Sequence, residues 1–351
     1  MQTDEMIAEL STAPDFLPSA FWTDLANRND AMLGAEGLRS FKRTVSNNYF
    51  NWPVTVPYHP YFARAFLSWL AHPTAAVLGA TIEDKVRLHV SYRNQPIDLS
   101  TFQKQVYKFF VCFTWETMRR FDTLRLSDRV QEPRIGSPIE VTLGGSLISQ
   151  DVANSIIEAN LLLPLVSGVA KPRFAEIGAG YGRLAHVVSS TTPSLYCIFD
   201  IPPALEVAQW YLRQALPEKR VFAFRRFETF ADIEGELSQC DIAFFTSNQL
   251  ASFPESWFDV ASTISTLPEM TAKQVELFLG LMRSKTRRAI FLKQWKSWRN
   301  AKDGIHMRRD DYVMPPPWRL TMDRTDPLIP TFFNAIWERE GTPQLSPDKQ
   351  D

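Results

Sequence analysis

A string in which glycines alternate, Glu176-Ile-Gly-Ala-Gly-Tyr-Gly-Arg183, is the first place where side chains give way to bare backbone. Gly178, Gly180 and Gly182 allow a sharp bend and let a ligand approach where a Cβ would intrude. Amide N–H groups at the start of a following helix face that ligand, with Glu176, Ala179, Tyr181 and Arg183 beside it. Further on, the apolar run Ser194-Leu-Tyr-Cys-Ile-Phe-Asp200 ends in an acid, followed by Ile201, Pro202 and Pro203. A carboxylate there accepts the two hydroxyls of a ribose; capping the next helix is the alternative. Glu269, in Thr266-Leu-Pro-Glu-Met-Thr271, is the carboxylate best placed for general-base work, or else an acid stabilising the positive end of the next helix. His306 is a second candidate base, with a plain surface role as the alternative. His306 with Asp310 and Asp311 has the chemistry of a divalent-cation site, but the spacing is nonspecific and no metal is assigned.

The elements that must position these groups alternate between strands and helices. Strands are expected at 174–177, 194–200, 257–265 and 288–292, with a closing pair at 318–322 and 332–337. The third strand is either 220–224 or 240–249. The second choice delivers Ser247, Asn248 and Gln249 to a purine ring, unless they only cap a turn. Helices are expected over 204–215 and 230–237, and Thr271-Ala-Lys-Gln274 has the form of a capping box that starts another and leaves Glu269 on the loop. A helix opened by Ser149 or Asp151 leads into the first strand and lies across the mouth of the site, where Gln150 and Asn154 face the ligand or merely attend the cap. The pattern predicts an α/β fold, a Rossmann-like doubly wound sheet. Residues 1–135 form a mostly helical, aromatic-rich region on the substrate side, with an apolar helix face from Tyr61 to Trp69. Residues 136–345 are the catalytic domain, and 346–351 a loose tail. In Ser46-Asn-Asn-Tyr-Phe-Asn-Trp52 amides mix with rings, which suits a carbohydrate surface as well as a core.

Composition narrows the partners. Hydrophobic residues make up 45% and charged residues 22%, so the chain is globular, and a formal net charge of -1 gives no reason to expect nucleic acid or an anionic membrane. Three scattered cysteines make neither a disulfide framework nor a zinc cluster. The N-terminus is acidic where a signal peptide is basic, and no apolar run reaches the ~18 residues of a membrane span. A cytoplasmic protein is expected. Its oligomeric state is not legible.

In a dinucleotide fingerprint the position taken here by Arg183 is a glycine. The string instead resembles motif I of class I S-adenosylmethionine (SAM)-dependent methyltransferases. Over residues 20 to 340 the chain also resembles a sugar O-methyltransferase family of bacterial polysaccharide and glycoside biosynthesis. That resemblance rests on Gly37-Leu-Arg-Ser-Phe-Lys-Arg43, Asn48-Tyr-Phe-Asn-Trp52, Ser149-Gln-Asp-Val-Ala-Asn154, Glu176–Arg183, Phe199-Asp-Ile-Pro202 and Pro268-Glu-Met270. It implies SAM as methyl donor and a sugar or glycoside hydroxyl as acceptor. The chain departs from that family at Thr266-Leu267-Pro268, where a serine and a polar residue commonly stand. Two rivals follow from the same residues: a non-catalytic SAM- or glycan-binding subunit, and a nicotinamide-dependent oxidoreductase, which Arg183 disfavours.

Overall fold

The computed structural model describes residues 2–29, 35–43 and 101–341. The aromatic runs 46–52 and 61–69 and the tail beyond Gly341 lie outside them. In chain order, helices α1 (Thr3–Leu10), α2 (Ala20–Asn29), α3 (Ala35–Ser40) and α4 (Thr101–Arg119) precede a hairpin of β1 (Val141–Leu143) and β2 (Ser146–Ile148). Then come α5 (Gln150–Leu162), β3 (Arg173–Ile177), α6 (Arg183–Thr191), β4 (Leu195–Asp200), α7 (Ala204–Ala215), β5 (Val221–Phe222), α8 (Ala231–Leu237) and β6 (Ile242–Thr246). β7 (Phe258–Ile264), α9 (Ala272–Lys285), β8 (Thr286–Trp295), β9 (Ser297–Asn300), β10 (Ile305–Arg308), β11 (Trp318–Thr325) and β12 (Phe332–Arg339) complete the series.

Eight strands form the central sheet in the order β11-β12-β8-β7-β3-β4-β6-β5. From β5 to β8 all neighbours are parallel, whereas β12 runs antiparallel to both β8 and β11. This settles the third strand: Ile242–Thr246 pairs with β4, and Val221–Phe222 lies beyond it at the edge. β4 and β6 are buried throughout, as parallel strands covered on both faces must be. Side-chain alternation divides them between two layers. Phe174, Tyr196, Ile198 and Phe244 join the α5, α6 and α7 side, while Ala175, Cys197, Phe199 and Phe245 join α9. Met6, Phe41 and Trp115 belong to the first of these clusters, so described N-terminal residues share a core with the sheet.

Local signals explain the helix starts. Ser149 is the N-cap of α5 and accepts from the Val152 N–H at 3.1 Å. Thr271 caps α9 with Gln274 closing the box, which places Glu269 in the preceding turn Leu267–Glu269. Among the described residues no helix is long and apolar enough to cross a membrane.

Candidate functional site

From β3 the chain crosses to β4 on one side, while β7 on the other side is reached only after β6, so the strand order reverses here and a crevice opens at the carboxyl ends. A cavity of about 320 Å³ occupies it, a size suited to a small molecule. Five parallel strands each deliver residues at or just past their ends to its wall: Gly178 to Gly180, Asp200 with Ile201, Ser247, Ile264 to Thr266, and Trp295.

The glycine bend follows from backbone geometry. Gly178 has φ +73°, and its N–H donates to the Phe199 carbonyl at 2.9 Å. A Cβ on Gly178 would stand 2.2 Å from Thr266 Oγ1. That hydroxyl donates to the carbonyls of Ile264 at 2.9 Å and Gly178 at 3.2 Å, tying the β3 and β7 ends together. Gly180, at φ +59°, turns its N–H onto Asp200 Oδ2 at 2.9 Å, while the Ile201 N–H reaches Asp200 Oδ1 at 2.7 Å. With the Ala179 amide also directed at it, the carboxylate meets three backbone N–H groups and keeps one of its about four acceptor directions. Burial raises the Asp200 carboxyl to about 7, against the pull of the Ile201, Gly180 and Ala179 amides. Glu176 also lines the cavity. It accepts from the Tyr196 hydroxyl at 2.8 Å, and burial raises it to about 7 as well.

Arg183 borders the cavity with its charge already engaged. Its guanidinium meets both Glu158 oxygens, at 2.6 and 2.9 Å, and Ser155 at 2.8 Å. Glu158 in turn receives Lys293 at 2.9 Å, and Lys293 meets Asp326 at 3.0 Å. This buried network bolts α5, α6 and β8 together beneath the site.

The opposite wall comes from far along the chain. Phe16 to Ser19, Phe21 and Trp22 line the cavity together with Met270, Phe278, Trp295 and Trp298, and the Phe16 ring packs edge-on against Phe278 at 5.6 Å. Ser19 Oγ donates to the Glu269 carbonyl at 2.7 Å, and Gln274 donates to the Leu17 carbonyl at 2.6 Å. Asp303, from the β9–β10 turn, accepts the Ala20 and Phe21 amides at 2.8 and 3.0 Å and so caps α2 from outside its own segment. Trp295 donates to Ser265 Oγ at 3.1 Å and lies 4.9 Å from the Trp298 ring. Glu269 lines this wall; burial raises its carboxyl well above the usual range, and the Asp200 charge adds to the effect.

Of the residues singled out in the sequence, Glu176, Gly178, Ala179, Gly180, Arg183, Asp200, Ile201, Ser247 and Glu269 line the one cavity. Gly182, at φ +84°, is the N-cap of α6 and packs against Leu212 rather than the opening. Tyr181 turns into the helical layer, donating to Asp151 at 2.9 Å with its ring against Phe41 and Tyr211. Gln150 is buried in the first turn of α5 and, like Asn154, lies off the cavity wall. Asn248 donates to Glu9 of α1 at 3.0 Å. His306 is not brought to the site. Trp298 pairs with Met307 and faces the cavity, so strand alternation puts His306, paired with Arg299, on the other side, where it meets Ser297 at 2.9 Å. Sequence reasoning missed the 16–19 segment, Trp295 and Trp298 as wall residues; their local context carries no signal, because distant contacts place them.

No protein-family model matches the chain, and no curated protein matches it in sequence. Solved structures do resemble it. A protein from Pyrococcus horikoshii OT3 aligns at 8% identity over 53% of this chain and 91% of its own, with a TM-score of 0.35. A SAM-dependent methyltransferase from Aquifex aeolicus aligns at 11% identity over 48% of this chain and 84% of its own, with a TM-score of 0.30. Magnesium protoporphyrin IX methyltransferase from Synechocystis PCC 6803, solved with bound SAM, aligns at 12% identity over 70% of this chain and 100% of its own, with a TM-score of 0.34. The chain has an α/β, Rossmann-like fold, a mostly parallel central sheet with helices on both faces. Beyond the parallel strands, antiparallel β12 is set between β8 and β11. In such an open α/β sheet the crevice at the carboxyl ends of β3, β4 and β7 is the binding site that the topology creates.

Proposed function

We propose that the chain is a SAM-dependent O-methyltransferase acting on a hydroxyl of a sugar or glycoside. The observation that carries the reading is the convergence of the glycine bend, Asp200 and Ser247 on one cavity. The residues fit the cofactor. Asp200 keeps acceptor capacity toward a ribose, and the buried Ser247 Oγ has no hydrogen-bond partner among the described residues. SAM, when bound, supplies an electrophilic methyl on a sulfonium. Glu176 and the 178–180 backbone would hold its amino-acid end, Asp200 its ribose and Ser247 its base.

A sugar hydroxyl is a weak nucleophile that must lose its proton during attack. Glu269, on the loop after β7, takes that proton. Phe21, Trp22 and Trp298 offer ring faces to the C–H faces of a sugar, and residues 1–135 supply the acceptor side through the segment from Phe16 to Trp22. Bringing the hydroxyl in line behind the methyl is the main task of this wall. A thermal-shift screen against SAM, S-adenosylhomocysteine (SAH) and NAD tests the cofactor. Stabilisation by SAM and SAH is expected, and stabilisation by NAD alone overturns it. Labelled SAM incubated with nucleotide sugars and glycosides tests the acceptor: label on a non-sugar acceptor alone removes the sugar and keeps the methyltransferase.

A further inference from the structure

We propose that this cavity selects its cofactor by charge, preferring the sulfonium cation to the neutral thioether product, and that the bound cation is what makes Glu269 available as a base. The inference rests on the reading of the cavity as a SAM site. Three carboxyl groups, Glu176 from β3, Asp200 from β4 and Glu269 from the loop after β7, line one enclosure. The guanidinium that borders it, Arg183, is held by both oxygens of Glu158; its charge favours ionised Glu176 but does not offset the burial that raises all three carboxyl groups. A separate feature points the same way: Phe21, Trp22, Trp295 and Trp298 line the same space, and aromatic faces attract onium cations. The buried Ser247 hydroxyl adds a polar atom with no partner among the described residues.

The groups facing each carboxyl set the sign of the effect. Glu176 lies near Tyr196, Arg183, Glu158 and Asp200; Asp200 meets the Ala179, Gly180 and Ile201 amides; Glu269 feels Asp200. Without a ligand, burial favours their neutral forms up to about pH 7 for Glu176 and Asp200, and beyond the usual carboxylate range for Glu269. A cation reverses that preference. Its binding releases a proton to solvent and tightens as pH rises through 7. SAM carries one more positive charge than SAH, so SAM gains more. The carboxylate of Glu269 then takes the acceptor's proton as the O–CH3 bond forms. The C–S bond breaks with its electron pair left on sulfur, and the neutral product loses the attraction that held the cofactor.

Calorimetric titration of the full chain with SAM and with SAH at pH 6 and pH 8 tests this. One linked carboxyl raises the Kd ratio of SAH to SAM about tenfold between the two pH values. SAM binding in two buffers of different ionisation enthalpy should show proton release that SAH does not match. Glu269→Gln should lose only its own share of the pH change in the ratio, the part due to Glu176 and Asp200 remaining, while keeping SAH affinity within about threefold. A ratio that is flat in the unmodified protein overturns charge selection and leaves the SAM reading standing. Failure of both ligands to bind at either pH overturns the SAM reading itself.

Discussion

The two walls of the cavity are built in opposite ways. The glycine wall is contiguous: β3, the bend from Gly178 to Gly182 and the start of α6 follow one another, and Asp200 on the neighbouring strand is fastened to it by the Gly180 amide. The aromatic wall is assembled from the segment at 16–22, the loop at 264–270 and the tryptophans of β8 and β9. Its fasteners run between segments remote in sequence, such as Ser19 to Glu269 and Asp303 to the start of α2. The glycine wall presents backbone amides and acceptors, which suit a ligand of fixed shape. The aromatic wall presents rings and one carboxyl, Glu269, the group proposed to take the proton. The difference teaches that one half of such a site is set by local geometry and the other by docking.

Substitutions can test that division, beginning with the largest effect. Glu269→Ala should lower methyl transfer by about 10²- to 10⁴-fold, with SAM affinity reduced by no more than about tenfold; kcat beside a SAM titration checks it. Normal turnover would remove Glu269 as the base. Gly178→Ala should cost on the order of 3 kcal/mol, because the added Cβ meets Thr266 and the residue must keep a positive φ. Urea unfolding measures this, and an unchanged midpoint would show that the β3–β7 contact yields easily. Asp200→Ala leaves the Gly180 and Ile201 amides without their partner and should weaken SAM by about 10- to 100-fold. An unaltered Kd would detach Asp200 from the ribose. Ser19→Ala should be the mildest, about 1 kcal/mol, seen as a several-fold rise in acceptor KM at constant SAM affinity. A loss of SAM affinity instead would mean that the two walls are not separable.

The glycine wall is legible in the amino-acid order because its rules are short-range. Positive φ at Gly178, Gly180 and Gly182 and the acid closing the next apolar strand all act within a few residues. The capping box at Thr271 is equally local, and it leaves Glu269 on the loop. Short range also marks where reading by position fails. Tyr181 sits inside the bend yet points into the helical layer, and Asn248, one residue past Ser247, pairs with Glu9 instead of reaching the cavity. Position along a turn says where a Cα goes, while neighbouring elements decide which way its side chain leaves.

From the amino-acid order alone came the α/β class, the strand–bend–helix unit, the acid at Asp200 and the loop position of Glu269, because backbone sterics, alternation and capping are local. The tertiary structure alone decided that 242–246 rather than 221–222 lies beside β4 and that His306 faces away from the cavity. It also decided that Phe16 to Trp22 close the site from the far end of the chain. Those outcomes depend on which faces bury one another across long stretches of sequence, and no short window contains both partners.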